Sequence, residues 1–221
     1  MKLKKILSTI LVMALVVTGI QFGNTQNVEA KSKKYNYSKV FSEYRKAIKN
    51  NYYADDNFEN ISKYLNLELL LSSSYYDSFN VYYVLKDLNG DGVKELIIDA
   101  ADKKKNLGKD VYDVFTYRNG KVVRLLRNQF EFGYRMQLTI NTKNTLCVLS
   151  TGGAQTTAYY YYKLNKKTSK PKMVKHVLYD YGKYYQVSKS GKKKEISEKK
   201  YNAIVKKYEG KARKFKWKKL K

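Results

Sequence analysis

The strongest constraint on this chain is a series of short, punctuated segments between residues 79 and 191. Segments 80–87, 93–100, 111–118, 121–127, 134–140, 145–150, 158–164, 174–181 and 183–187 are rich in β-branched and aromatic residues, which suit a pleated, half-buried surface. Turn residues separate them: Asn89-Gly90-Asp91-Gly92, Asn119-Gly120, Gly182 and Gly191. Asn-Gly supplies the positive φ angles of a two-residue hairpin. Strands with turns at intervals of about 8–12 residues predict an antiparallel meander. No period of 20–50 residues repeats, which argues against a solenoid or a repeated-blade protein.

Helices flank the strands. Val40, Phe41, Tyr44, Ala47 and Ile48 form a helical stripe, with Ser38 placed as its N-cap. Asp56 and Glu59 have capping-box spacing ahead of Ile61, Leu65 and Leu69, and Ser72-Ser73-Ser74 closes that second helix. Near the end, Ser197 is a cap candidate, Glu198 sits where a helix dipole favours an anion, and Gly210 is a stop. Tyr201, Ile204, Val205 and Tyr208 share one face between them. The expected fold is α+β: a meander of about seven to nine strands, with helices before it and one after.

One motif carries chemistry. Asp87, Asn89, Asp91 and Glu95 stand at positions 1, 3, 5 and 9 of a loop, with Gly92 at position 6 and the Val93 carbonyl at position 7. Calcium takes six to eight oxygen ligands, and a short loop can supply several of them. Three acids within nine residues repel one another unless a cation sits among them. The candidate metal ligands are therefore Asp87, Asn89, Asp91, Val93 and Glu95, and the cofactor is a structural Ca2+. The competing reading is a polar turn closed by Asx hydrogen bonds, with Lys86 and Lys94 neutralising the acids. An EF-hand is excluded, because loop position 12 is Ile98 and the flanks read as strands.

The loop resembles the inter-strand calcium loops of integrin-type propeller blades, the FG-GAP and VCBS repeats, although those proteins carry several copies. The wider order of elements, roughly residues 36–210, resembles small uncharacterised secreted or lipoprotein-type proteins of Gram-positive bacteria with one D-x-[DN]-G-D-G-x-x-E-L loop. That resemblance implies a cell-envelope location and carries over no enzymatic activity.

The first thirty residues read as an address. Lys2, Lys4 and Lys5 precede an apolar run over 6–20, and a polar stretch ends at Val28-Glu29-Ala30. This is the order of a secretory signal cut after Ala30, and the apolar run is shorter than the roughly 20 residues of a bilayer span. The alternative is an uncleaved anchor. Residues 31–35 are then a short basic lead-in and 36–221 one globular domain. The expected location is extracellular or wall-associated.

Charge is the other strong feature. The chain has 45 Lys and Arg against 19 Asp and Glu, and one each of Cys, His, Pro and Trp. One Cys excludes an internal disulfide and a Cys-rich zinc site; one His excludes HExxH chemistry. The basic excess concentrates in residues 161–221, with 22 basic and four acidic residues. The closing run offers Lys211, Arg213, Lys214, Lys216, Lys218, Lys219 and Lys221 as polyanion-binding residues. Wall polyanions or an anionic membrane surface are the expected partners, and no nucleic-acid recognition motif is present. A merely solvated face, with Phe215 and Trp217 turned inward, is the alternative.

The function expected from these features is a secreted, non-enzymatic envelope module with a calcium loop and a cationic surface. One alternative is a metal-assisted hydrolase of anionic glycan or nucleic acid, recruiting Glu131, Asp110 or Asp113 to the loop. Another is a nucleic-acid binder using Phe215 and Trp217 as stacking surfaces. Residues 151–157 read as a loop joining two strands, Cys147 as a buried thiol and His176 as a strand residue without catalytic work.

Overall fold

Alternating apolar positions and short turns give two antiparallel sheets. The computed structural model describes residues 35–49, 62–74, 80–101, 106–126, 130, 132 and 135–221, without the side chains of 71–74. The predicted leader, with its cut after Ala30, lies outside the described residues. Tyr35–Lys221 form one compact unit. No helix among the described residues is long and apolar enough to cross a membrane.

The first sheet contains β1 (Asn80–Lys86), β2 (Glu95–Ala101), β3 (Val111–Arg118) and β4 (Lys121–Arg124), with β11 (Lys218–Lys219) added beside β1. The second runs in chain order through β5 (Met136–Ile140), β6 (Leu146–Thr151), β7 (Thr156–Leu164), β8 (Pro171–Asp180), β9 (Lys183–Val187) and β10 (Lys193–Glu195). The expected α+β meander is present, divided between two sheets and extended by the short strands β10 and β11. Asn119 and Gly120 both have positive φ, 52° and 73°, so the β3–β4 hairpin closes as its Asn-Gly pair predicts.

The sheets meet across a core that includes Ile97, Val114, Leu138, Leu146, Val148 and Trp217. Helix α1 (Ser38–Lys49) and helix α2 (Leu67–Ser74) cover the other face of the first sheet, where Val40, Tyr44 and Leu69 meet Leu96, Ile98 and Phe115. Strand β2 is consequently buried at all seven positions. Its apolar run carries no alternation because neither face meets water. Helix α3 (Glu198–Glu209) covers the second sheet: Tyr201 contacts Tyr159 and Tyr184, and Tyr208 contacts Tyr161.

The caps refine the sequence reading. Ser197 caps α3, its side chain accepting from the Lys200 N–H, and Gly210 ends that helix at φ 58°. Ser38 is the first residue of α1 rather than its cap; the Asn36 side chain accepts from the Ser38 N–H at 2.9 Å. Helix α2 starts after Asn66, whose Oδ1 accepts from the Leu69 N–H at 2.9 Å. Asp56, Glu59 and Ile61, the expected start of that helix, lie outside the described residues.

Candidate functional site

Residues 87–94 join β1 to β2, and the last strand pair before the corner is Lys86 with Glu95. The corner is a non-helical loop in which Gly90 and Gly92 take φ 75° and 85°, angles that side chains with a Cβ rarely adopt. The reversal turns three N–H groups of the loop, those of Asn89, Gly90 and Gly92, onto Asp87. Its Oδ1 accepts from Asn89 N at 3.2 Å and Gly90 N at 2.7 Å, and its Oδ2 from Gly92 N at 3.0 Å. Asp91 Oδ1 accepts from Val93 N at 2.8 Å. These are the Asx hydrogen bonds of the polar-turn reading.

Glu95 points elsewhere. It opens β2, is 0% exposed, and accepts from Leu88 N at 2.8 Å and from Thr116 Oγ1 at 3.0 Å. Burial, with a smaller push from the Asp91 charge, raises its carboxyl up to about 7. Asp87, Asn89 and Asp91 thus occupy the rim of the corner and Glu95 its floor. Among the described residues, no three His, Cys, Asp or Glu side chains gather around a single point. The donors are hard oxygens, as calcium prefers. A carboxylate has about four acceptor positions, and Glu95 uses two of them in the side-chain contacts named above.

The corner also joins the two sheets. Ser169 Oγ donates to Asp91 Oδ2 at 2.7 Å, and Asn89 Nδ2 donates to Asp91 Oδ2 and to the Asn165 carbonyl, both at 3.1 Å. Arg118 adds a hydrogen bond to the Thr168 carbonyl at 2.7 Å. Ser169 and Thr116 are functional neighbours that the loop motif does not announce. They stand 78 and 21 positions from their partners: the β2–β3 pairing brings in Thr116, and the meeting of the two sheets brings in Ser169.

The structure does not bring Asp113 to this corner. Asp113 is 1% exposed, ion-paired with Arg124 and bonded to Tyr44 Oη at 2.8 Å. A carboxylate so engaged is poorly placed to act as a general base. Asp110 is exposed just before β3, and Glu131 lies outside the described residues. Cys147 is a buried free thiol, which burial foremost pushes up to about 12; a group so rarely ionised is a poor nucleophile. His176 lies flat on Tyr160, with ring centroids 4.0 Å apart, and burial lowers it to about 4. Residues 152–155 form the turn between β6 and β7.

The closing run is folded rather than loose. Arg213 N donates to the Ile140 carbonyl and Leu220 N to the Val81 carbonyl, which straps the segment across both sheets. Lys211, Lys214, Lys216, Lys218, Lys219 and Lys221 are exposed, and Arg213 is partly buried. Phe215 packs on the core, and Trp217 is 8% exposed within it. The inward alternation of these rings leaves Trp217 without a free face for a nucleobase. No family model, curated protein or solved structure matches the chain.

Proposed function

We propose that this protein is a non-enzymatic module exported to the cell envelope and held on wall polyanions by its lysine-rich surface. The observation supporting it is the closing strap, where rings turn inward and six lysines turn outward. Charge held on a folded scaffold concentrates polyanions by Coulomb attraction and counterion release. The test is sedimentation of the protein with isolated Gram-positive walls. Binding is expected at low ionic strength, with release as salt rises through a few hundred millimolar, where the Debye length falls below about 8 Å. Absence of binding at low salt, or retention at high salt, would overturn this reading.

The same proposal gives the corner a structural calcium ion, which Asp87, Asn89, Asp91, the Val93 carbonyl and Glu95 would hold after turning from the contacts described above toward a common centre. The supporting observation is the buried Glu95, which has no ion pair among the described residues. Its burial favours a cation or a proton as companion. Because the corner holds both sheets, an ion there acts as a latch. With affinity in the extracellular range of about 10⁻⁴–10⁻³ M, 10 mM calcium should stabilise the fold by about 1.4–2.7 kcal/mol. Thermal melting with and without calcium measures this, and Asp87→Ala/Asp91→Ala should abolish the shift. An unchanged wild-type melting curve would remove calcium from the account.

A further inference from the structure

The structure gathers a second set of cations that the sequence scatters. Lys175 lies on β8 opposite Tyr161 of β7. Tyr161 packs against Tyr208 of α3 with ring centroids 5.2 Å apart. Lys207, next to Tyr208, has its Nζ 5.7 Å from that ring. Lys200 precedes Lys207 by seven residues, two turns along the same side of the helix. Further along β7, on the same face as Tyr161 by strand alternation, Lys163 stands directly opposite Lys172. Like charges so paired repel.

None of these five lysines takes part in an ion pair among the described residues; the pairs there are Arg124–Asp113, Lys183–Glu195 and Lys193–Asp180. The nearby acids are occupied at the two ends of α3, where Glu198 hydrogen-bonds Tyr184 and Glu209 faces Cys147, Tyr159 and Tyr161. Partial burial foremost, and then repulsion from Lys200 and Lys207, lower Lys175 from its usual value. Lys175 is thus a recessed cation within the influence of two exposed ones, where β8 meets α3.

We propose that the junction of β8 and α3 is an anion-binding site for a slender, flexible phosphodiester polymer, with Lys175, Lys200 and Lys207 on successive phosphates. The proposal rests on the polyanion reading above and assigns it a place. A flat bilayer meets the exposed Lys200 and Lys207 and stands off from the half-buried Lys175. A DNA duplex is a stiff rod and has the same difficulty. A single flexible chain can settle along the junction and relieve the repulsion among the three cations.

The test uses the purified protein with synthetic poly(glycerol phosphate), titrated at several salt concentrations. Lys175→Gln/Lys200→Gln/Lys207→Gln should weaken binding at least tenfold and reduce the salt slope by about two, as three single-strand phosphate contacts imply. An equal charge removal from the exposed β9–β10 hairpin, Lys189→Gln/Lys192→Gln/Lys194→Gln, should change affinity less than about threefold. The junction variant loses repulsion and also the exposed Lys207 contact on the Tyr208 ring, so it should melt within about 4 °C of wild type. Equal weakening in both variants would replace the site with a diffuse charge effect and overturn the proposal. Unchanged binding in the junction variant would overturn the site and leave the polyanion function standing. Tighter binding of duplex DNA or of phosphatidylglycerol vesicles, with the same dependence on the three lysines, would overturn the ligand class. Failure of the wild type to bind any of these polyanions would overturn the site together with the function it rests on.

Discussion

Replacing Arg124 with Ala is expected to destabilise the fold by about 3–5 kcal/mol, the usual effect of stranding one partner of a buried ion pair. Asp113 is 1% exposed and the Arg124 side chain 7% exposed, so neither charge has ready access to water. The pair holds three elements together. Tyr44 of α1 donates to Asp113 Oδ2 at 2.8 Å, and Arg124 Nη1 donates to the Leu65 carbonyl ahead of α2 at 3.0 Å. Asn66 N reaches Tyr44 Oη at 3.3 Å. Removing the guanidinium leaves the Asp113 carboxylate buried without its cation and the Leu65 carbonyl without this donor.

A domain of this size loses about 2–4 °C of melting temperature per kcal/mol, so the shift should be roughly 6–20 °C. Tyr44→Phe, which removes one hydrogen bond to a charged group, should destabilise by about 1.5–3 kcal/mol. The decisive comparison is the apolar double replacement Asp113→Leu/Arg124→Met. Apolar substitution of a whole buried pair is often neutral or stabilising, so this variant should recover most of the loss. Urea denaturation of the three variants beside the wild type measures all three differences. Arg124→Ala within about 1 kcal/mol of wild type would show that the pair is not what binds the helices to the first sheet.

How much of this was legible in advance depended on the kind of signal. The Asn119-Gly120 hairpin, the stripe of α1 and the Ser197–Gly210 limits of α3 are local, and each was readable because neighbouring residues decide it. The division of the meander into two sheets was not readable. It follows from which face of each strand meets which neighbour, and strands such as β2, buried on both faces, carry no alternation to reveal it. Strands β10 and β11 are Lys193–Glu195 and Lys218–Lys219, without apolar residues. The second forms beside β1 while Trp217 and Leu220 on either side of it are buried. At the corner, the sequence located the oxygens but not their directions: Glu95 turns down to Leu88 N and Thr116, while Ser169 arrives from the other sheet. The lysine junction needed three-dimensional register, since nothing in the spacing of Lys175, Lys200 and Lys207 announces a cluster.

The fold should also lose stability as pH rises from about 4 to 7, with Asp99 as a principal cause. Asp99 is 1% exposed on β2, at the point where the β2–β3 register shifts. Its oxygens accept from the Ala100 and Gly108 N–H groups, and the neighbouring charge of Asp110 is also negative. Burial outweighs the two hydrogen bonds and raises the carboxyl up to about 7 from its ordinary 3.8. The folded protein therefore keeps a proton that the unfolded chain has given up. Stability from this group is complete below about pH 4 and is lost progressively up to about pH 7, above which the effect is constant. At 1.36 kcal/mol per unit, a shift of this size corresponds to roughly 4 kcal/mol at most. Glu95, raised in the same direction, adds to the wild-type slope, so the measurement that isolates Asp99 is a difference. Asp99→Asn has no proton to lose there. The wild-type advantage over this variant in urea denaturation should shrink by up to about 1.4 kcal/mol per pH unit between pH 4 and 7, then level off. A wild-type minus variant difference that stays flat across that window would mean that Asp99 ionises normally in the folded protein, with water reaching it through the β2–β3 irregularity.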